Sequence, residues 1–366
     1  MARKKYPPPG AARTIIHVFP TFTVGGAQSR FAAIANHVGG GARHIVVSLD
    51  GRLDARSKLD PALDVTLAPF PKAASAIGGM HVAWQFLRTT HAHLLITSNW
   101  GAMDWVAANR LIGLRHVHTE DGFGPDELTR QLRRRVLARG IILRRSLVVL
   151  PSQTLLRVAR ETWRLPKRRL RYIPNGVDLA RFANAERAEI PGTGPVVGAV
   201  SVLRAEKNLA RLLQAFATVR ARMPARLVIV GDGPERAALH ALAAKLGIED
   251  SVLFTGYSAQ PERWLAAFDV FALASDTEQM PLSLLEAMAA GLPVAGTNVG
   301  DVAAMVAPEN APFIVPRDDS ALADAMFALM SDLARARPIG RANGTRAMTD
   351  FDQADMFRAW REVWGI

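Results

Sequence analysis

Residues 269–297, DVFALASDTEQMPLSLLEAMAAGLPVAGT, contain two short apolar runs, DVFALAS and PVAGT, joined by a segment of helical character. Continuous apolar runs of this length suit strands buried on both faces, and a helical crossover between two of them makes the pair parallel. Pro281 stands where a first helical residue is expected, since its missing N–H would be unpaired there in any case. Two carboxylates occupy the joining segment with seven residues between them. Glu278 lies just before the proline, at the mouth of the helix, and Glu286 lies inside it.

The same alternation recurs on both sides. Upstream are TIIHVFP (14–20), HIVVSL (44–49), HLLITS (93–98), RHVH (115–118) and SLVVLPS (146–152), with helical patterns between them. VVGAVS (196–201), RLVIVG (226–231), VLFTG (252–256) and PFIV (312–315) complete a second series around the opening stretch. Two tandem series of this kind predict an α/β chain of two Rossmann-like, doubly wound domains, facing each other across a cleft. The expected layout is a disordered tail at 1–11, an acceptor-side domain at 12–182 and a Pro/Gly-rich linker at 183–194. A donor domain at 195–348 follows, and a last amphipathic helix at 349–366.

With 366 residues, 49% of them apolar, the chain is globular and long enough for two cores. It has no cysteine, which excludes disulfides, thiolate zinc sites and cysteine nucleophiles and fits a reducing compartment. The N-terminus, MARKKYPPPGAAR, puts Pro7, Pro8, Pro9 and Gly10 where the apolar part of a secretion signal would stand. No apolar run reaches the roughly 18 residues a spanning helix needs, so a cytoplasmic location is expected. The net charge is +12, and fourteen Arg and Lys residues between Asp126 and Arg171 face only Asp126, Glu127 and Glu161. Such a band suits an anionic membrane surface or a nucleic acid, unless it is simply solvated helix surface.

The chemistry-bearing residues cluster at strand ends. Arg204 and Lys207 follow VVGAVS, and Asp232-Gly233-Pro234 follows RLVIVG with its proline suited to a first helical position. Helix N-termini offer unpaired N–H groups and positive potential to phosphate oxygens, and neighbouring Arg and Lys add charge-assisted bonds. Glu286 is placed to accept hydrogen bonds from vicinal hydroxyls such as those of a ribose, and Glu278 from hydroxyls beyond the diphosphate. A phosphate between two acids, with a polyol at each end, is the layout of a nucleotide sugar. Gly25 and Gly26 follow the first strand, either as an anion-approaching loop or as a tight turn. His116 and His118 share a strand face, but no third ligand stands at metal-binding spacing.

VGGAQ after the first strand, IPNGVD, AEKNL, IVGDGPER, FTGY and SDTEQMPLSLLEAMAAGLPVAGTNVGDVAAMV together resemble the retaining glycosyltransferases of family 4, which have the GT-B fold. The resemblance spans residues 14–364. It implies that Glu278 contacts donor-sugar hydroxyls, Glu286 the ribose, and Arg204 with Lys207 the diphosphate. It places Gly256 and Tyr257 near the base, Gly25 and Gly26 against the phosphates, and Met280, Pro281 and Leu282 in the donor-binding loop. His118 matches a histidine beside the donor sugar, a role some relatives give to the position of Asp121. The last helix packs on the first domain in such enzymes. In two respects the chain departs from the family. The arginine usual five residues before the lysine is replaced by Val202, with Arg204 three before it, and the usual glycine after the first glutamate is replaced by Gln279-Met280.

The implied activity is retaining transfer of a hexosyl unit from a nucleotide diphosphate sugar, UDP-linked before GDP-linked. The implied acceptor is a saccharide, lipid-linked or membrane-proximal, in envelope or exopolysaccharide synthesis. No cofactor and no metal are expected, because no DxD-like motif ends a strand, and no nucleic-acid partner is expected. An oxidoreductase would need G-x-G-x-x-G after the first strand, which is absent. An epimerase has other motifs in place of the paired glutamates. A catalytically inactive relative that binds nucleotide sugar or a polyanion would carry the same sequence features.

Overall fold

A computed structural model describes residues 13–70, 75–123, 125–127 and 130–366. The tail expected at 1–11 lies outside the described residues. The chain divides into two compact units, Met1–Pro174 with Met356–Ile366, and Asn175–Asp355. The first unit holds β1 (Arg13–Phe19), β2 (Ala42–Ser48), β3 (Val65–Pro69), β4 (Leu94–Ser98), β5 (Arg115–Thr119), β6 (Leu147–Leu150) and β7 (Leu170–Tyr172). The second holds β8 (Val196–Val200), β9 (Arg226–Val230), β10 (Val252–Gly256), β11 (Val270–Leu273), β12 (Val294–Thr297) and β13 (Ile314–Val315).

Every strand pair is parallel, and the sheet orders are β3-β2-β1-β4-β5-β6-β7 and β10-β9-β8-β11-β12-β13. Each sheet therefore runs outward from its first strand and reverses there, between β1 and β4 and between β8 and β11. At such a reversal the loops leaving the two neighbouring strands turn to opposite faces and open a crevice at their carboxyl ends. The central strands are buried on both sides, as Leu94, Leu95 and Ile96 of β4 and Val270, Phe271 and Ala272 of β11 show.

The edge strands β3 and β7 were not legible as apolar runs. Leu170, Arg171 and Tyr172 are only half-buried, because an edge strand is covered on one flank alone. The longer stretch of the first unit runs to Pro174. Val177 and Phe182 are buried in a core of the second unit, and Asp178 caps the helix Leu179–Ala183 by accepting from the Arg181 N–H. Gly176 is required there, since a Cβ would stand 2.5 Å from the Cα of Gln353.

The last helix, Gln353–Trp364, buries Met356, Phe357, Trp360, Val363 and Trp364. They join Ile15, Phe19, Phe31 and Ile34 in one core of the first unit. Trp364 lies 5.2 Å from the ring of His17 and 5.3 Å from that of His44. His44 Nε2 lies 3.0 Å from the Gly39 carbonyl, which only accepts, so Nε2 carries the proton and Nδ1 accepts from His17 Nε2, also at 3.0 Å. Protonating His44 would set two N–H groups against each other. Burial, then the charge of His44, lowers His17 well below the ordinary histidine range, and burial likewise lowers His44. His116, hydrogen-bonded to Thr97 and Ser146, is lowered to about 3 by burial, then by His118 and Arg110.

These folded-state values lie below the unfolded value near 6.5, so the unfolded chain takes up protons first as pH falls. Their stabilising contribution is complete above about pH 6.5 and declines through the window down to about 3 for His116. Urea midpoints measured between pH 7 and pH 5 are expected to fall. His116→Gln should flatten the slope by up to about 1.4 kcal/mol per pH unit. An unchanged slope would mean that His116 is not held neutral.

Candidate active site

Loops leaving β8 and β11 meet at the reversal of the second sheet. The β8 loop forms a single turn, Ala205–Lys207, preceded by Arg204 and followed by Asn208 in the left-handed region, φ 42°. Asn208 then caps the helix Leu209–Arg222 by accepting from the Arg211 N–H. The β11 loop carries Ser275, Asp276 and Glu278 toward the helix Leu282–Ala289. Lys207 Nζ reaches Glu278 Oε1 at 2.5 Å, and Ser275 Oγ donates to the same oxygen at 2.8 Å. The Glu278 side chain is 10% exposed and that of Lys207 25%, so the pair is sheltered but open to solvent.

Several further bonds fix the two loops to each other. Asn208 Nδ2 and Arg211 Nη1 donate to the two carboxylate oxygens of Asp276 at 3.0 and 2.7 Å, and the Asp276 N–H donates to the Glu206 carbonyl at 2.9 Å. Arg211 also holds the Ala274 carbonyl, and Thr297 Oγ1 donates to that of Ser275 at 2.6 Å. Asp301 donates its N–H to the Gln279 carbonyl, and at Gly300, φ +55°, a Cβ would stand 2.1 Å from the Glu278 carbonyl oxygen. Arg204 is exposed, and among the described residues its guanidinium makes no ion pair. Glu286 is half-buried in the second turn of its helix.

Other expected members of the site are placed differently. Met280 is 6% exposed and lies in the core. Its Sδ accepts from the Asn175 N–H at 3.2 Å and its carbonyl from Asn175 Nδ2 at 2.8 Å. Its side chain therefore anchors the loop instead of lining a pocket. Pro281 is the N-cap of the helix, one position earlier than expected, and is buried, while Leu282 is half-buried. Pro234 precedes its helix, Arg236–Lys245, by two residues. Gly256 takes φ +75° and its carbonyl accepts from the Gly231 N–H at 2.8 Å, leaving Tyr257 65% exposed.

In the first unit Gly25 is the extended N-cap of the helix Gly26–Val38, beside the reversal at β1 and β4. A Cβ on Gly25 would stand 2.9 Å from Gln28 Oε1. His118 does not reach the surface: it is 0% exposed and its Nδ1 pairs with Thr97 Oγ1 at 2.8 Å. Asp121, two residues beyond the strand, is 15% exposed and ion-paired to Arg30. Asp121 is thus partly exposed where His118 is not, with one carboxylate oxygen on Arg30 and the other buried. His116 shares Thr97 with His118, and among the described residues no three His, Asp or Glu side chains are grouped to hold a metal.

Sequence reasoning did not single out Asn208, Arg211, Asp276 or Gly300, nor Arg139 in the basic band. Arg139 is fully buried, bonded to Glu120 and Glu127, with Trp100 and Trp163 each 5.0 Å from its guanidinium. A signal existed, since Arg139 falls at helical spacing with Leu132, Val136 and Leu143.

A model of the glycosyl transferases group 1 matches residues 194–332, and one of glycosyltransferase family 4 matches residues 24–181. The two matches account for most of both units, and the chain belongs to the family 4 glycosyltransferases. It is 35% identical over 142 residues to N-acetyl-alpha-D-glucosaminyl L-malate synthase of Bacillus anthracis, covering 38% of this chain and 37% of the relative. It is 36% identical over 195 residues to a GDP-mannose-dependent alpha-(1-6)-phosphatidylinositol monomannoside mannosyltransferase of Mycobacterium tuberculosis, covering 48% and 51%. These matches span between about a third and half of the relatives' own length. Anabaena HepE in complex with UDP-glucose has the same fold, with a TM-score of 0.79 at 19% identity over 96% of this chain and 99% of that one.

Gly300→Ala should cost roughly 1–3 kcal/mol in urea unfolding, because the left-handed backbone and the Glu278 carbonyl both oppose a Cβ. A cost indistinguishable from zero would show that the Glu278 loop yields freely.

Proposed function

We propose that this chain is a retaining glycosyltransferase that moves a hexosyl unit from a nucleotide diphosphate sugar, UDP-linked in the first instance, to a saccharide acceptor. The acceptor is lipid-borne or membrane-proximal, as in envelope or exopolysaccharide assembly. The observation that carries the reading is the Lys207–Glu278 pair across the strand-order reversal of the second sheet, with Arg204 exposed on the same turn. A cation and a hydroxyl-acceptor held side by side suit a ligand in which phosphate and sugar are adjacent.

In this reading Arg204, Lys207 and the first N–H groups of the helix Leu282–Ala289 take the diphosphate. Glu286 accepts from the ribose hydroxyls, Tyr257 lies by the base, and Glu278 accepts from the sugar. When the bond from the anomeric carbon to the phosphate oxygen breaks, charge collects on the departing diphosphate. Lys207, already held in place, stabilises it with little reorganisation, and exposed Arg204 is free to swing onto it. The freed phosphate oxygen takes the proton of the acceptor hydroxyl, which adds to the face just vacated, so configuration is retained. No carboxylate has to act as a covalent nucleophile, and these cations supply charge in place of a metal. Buried His118 acts through the loop that carries Asp121, not by contact.

Thermal midpoints with UDP, GDP and ADP, then with their hexose conjugates, test the assignment. One nucleotide series should raise the midpoint, and Glu286→Ala should abolish the rise. A guanine series acting in place of uridine would reassign the base. No rise with any nucleotide would favour an inactive relative.

Glu278→Gln separates binding from chemistry. Releasing Lys207 from its partner should tighten nucleoside diphosphate binding by several-fold, about 1 kcal/mol or less, while transfer falls about a hundredfold. Weaker diphosphate binding in that variant would mean that Lys207 needs Glu278 to hold it in position.

A further inference from the structure

The helix Arg133–Ile142 buries an arginine and exposes two aliphatic side chains. Its inward side carries charge: Arg139 is fully buried on Glu120 and Glu127, and Arg135 bonds Glu127 and Asp126. Its outward side carries Leu137, 65% exposed, and Ile141, 58% exposed. Arg133, Leu137 and Ile141 are spaced four apart and so form one stripe along the helix.

Arginines border that stripe. One hollow of ≈ 630 Å³ is lined by Leu137 and Ile141 with Arg130, Arg133, Arg144 and Arg164. A second, ≈ 590 Å³, shares Arg144 and adds Arg145, Arg168 and Arg169. The acids of the band are committed elsewhere. Glu127 and Asp126 hold Arg135, Glu120 holds Arg139, and Glu161 pairs with Arg160. The positive charge around Leu137 and Ile141 is therefore uncompensated among the described residues.

We propose that this outward face, with Leu137 and Ile141 set among Arg130, Arg133, Arg144 and Arg164, is a docking surface for an anionic lipid bilayer. Aliphatic side chains ringed by guanidinium groups match the boundary where acyl chains meet charged headgroups, so that insertion and attraction act together. A nucleic acid fits less well. Its bases would call for exposed aromatic rings, whereas Trp163 beside the stripe is 2% exposed. Among the described residues no helix is long and apolar enough to cross a membrane, so attachment through this face is peripheral. The surface belongs to the first unit and contains none of the donor-side groups, so it stands independently of the reaction proposed above.

Vesicle flotation of the full chain tests this with pure phosphatidylcholine and with an equal mixture of phosphatidylcholine and phosphatidylglycerol. The chain should float with the mixed vesicles, not with the neutral ones, and less so as salt rises. The double variant Leu137→Ser with Ile141→Ser alters only exposed side chains and should keep its thermal midpoint. It should nevertheless lose about tenfold or more in partitioning. Replacing Arg130, Arg133, Arg144 and Arg164 by Gln should lose on the order of a hundredfold or more. Equal flotation with both vesicle types, or none with the mixed ones, would overturn the proposal. So would wild-type flotation by the Leu137/Ile141 double variant, and in that case tight binding of an oligonucleotide would identify the surface as a general polyanion site.

Discussion

Strand order that reverses beside the first strand is the constraint on which the rest of this structure depends. Because every strand is parallel, each crossover must leave at the carboxyl end of one strand and return at the amino end of the next. Only at the reversal do two neighbouring strands send their loops to opposite faces. In the second unit those loops bring Lys207 and Glu278 together although 70 residues of chain separate them. The equivalent place in the first unit receives the loop with Gly25.

The loop around Glu278 is held by more bonds than an exposed connection needs. Asp276 is gripped by Asn208 and Arg211, Ser275 by Thr297, Gln279 by Asp301 and Met280 by Asn175. The free-energy cost of ordering this segment is met in the folded chain, which is the condition for a carboxylate and an ammonium to meet a ligand without rearrangement. The self-pairing of Lys207 with Glu278 also leaves exposed Arg204 as the cation of that turn without an ion pair among the described residues.

The basic band divides in the structure into two kinds of arginine. Arg135 and Arg139 turn inward and complete a buried network with Glu120, Glu127 and three aromatic rings. Burying Arg139 is tolerable because its guanidinium is bonded on several sides; removing either acid would strand a charge in the core. The arginines that remain outside surround two aliphatic side chains. Composition alone merges these two groups into a single excess of positive charge.

How much was legible in advance follows from which forces are local. Central strands announce themselves because burial on both faces demands unbroken apolar runs, and Glu278, Glu286, Arg204 and Lys207 stand out as candidates because helix starts and strand ends have recognisable residues. The edge strands β3 and β7 escaped because one-sided cover permits Thr66 and Arg171 within them. The side-chain directions of Met280 and His118 escaped as well. Each follows from partners distant in sequence, Asn175 for one and Thr97 for the other. The sequence by itself thus determined the family, the alternation and the residue types at the strand ends, all set by short-range pattern. Which of those residues face outward was decided only by tertiary structure, because burial and hydrogen-bond satisfaction are settled between segments that the chain brings together from far apart.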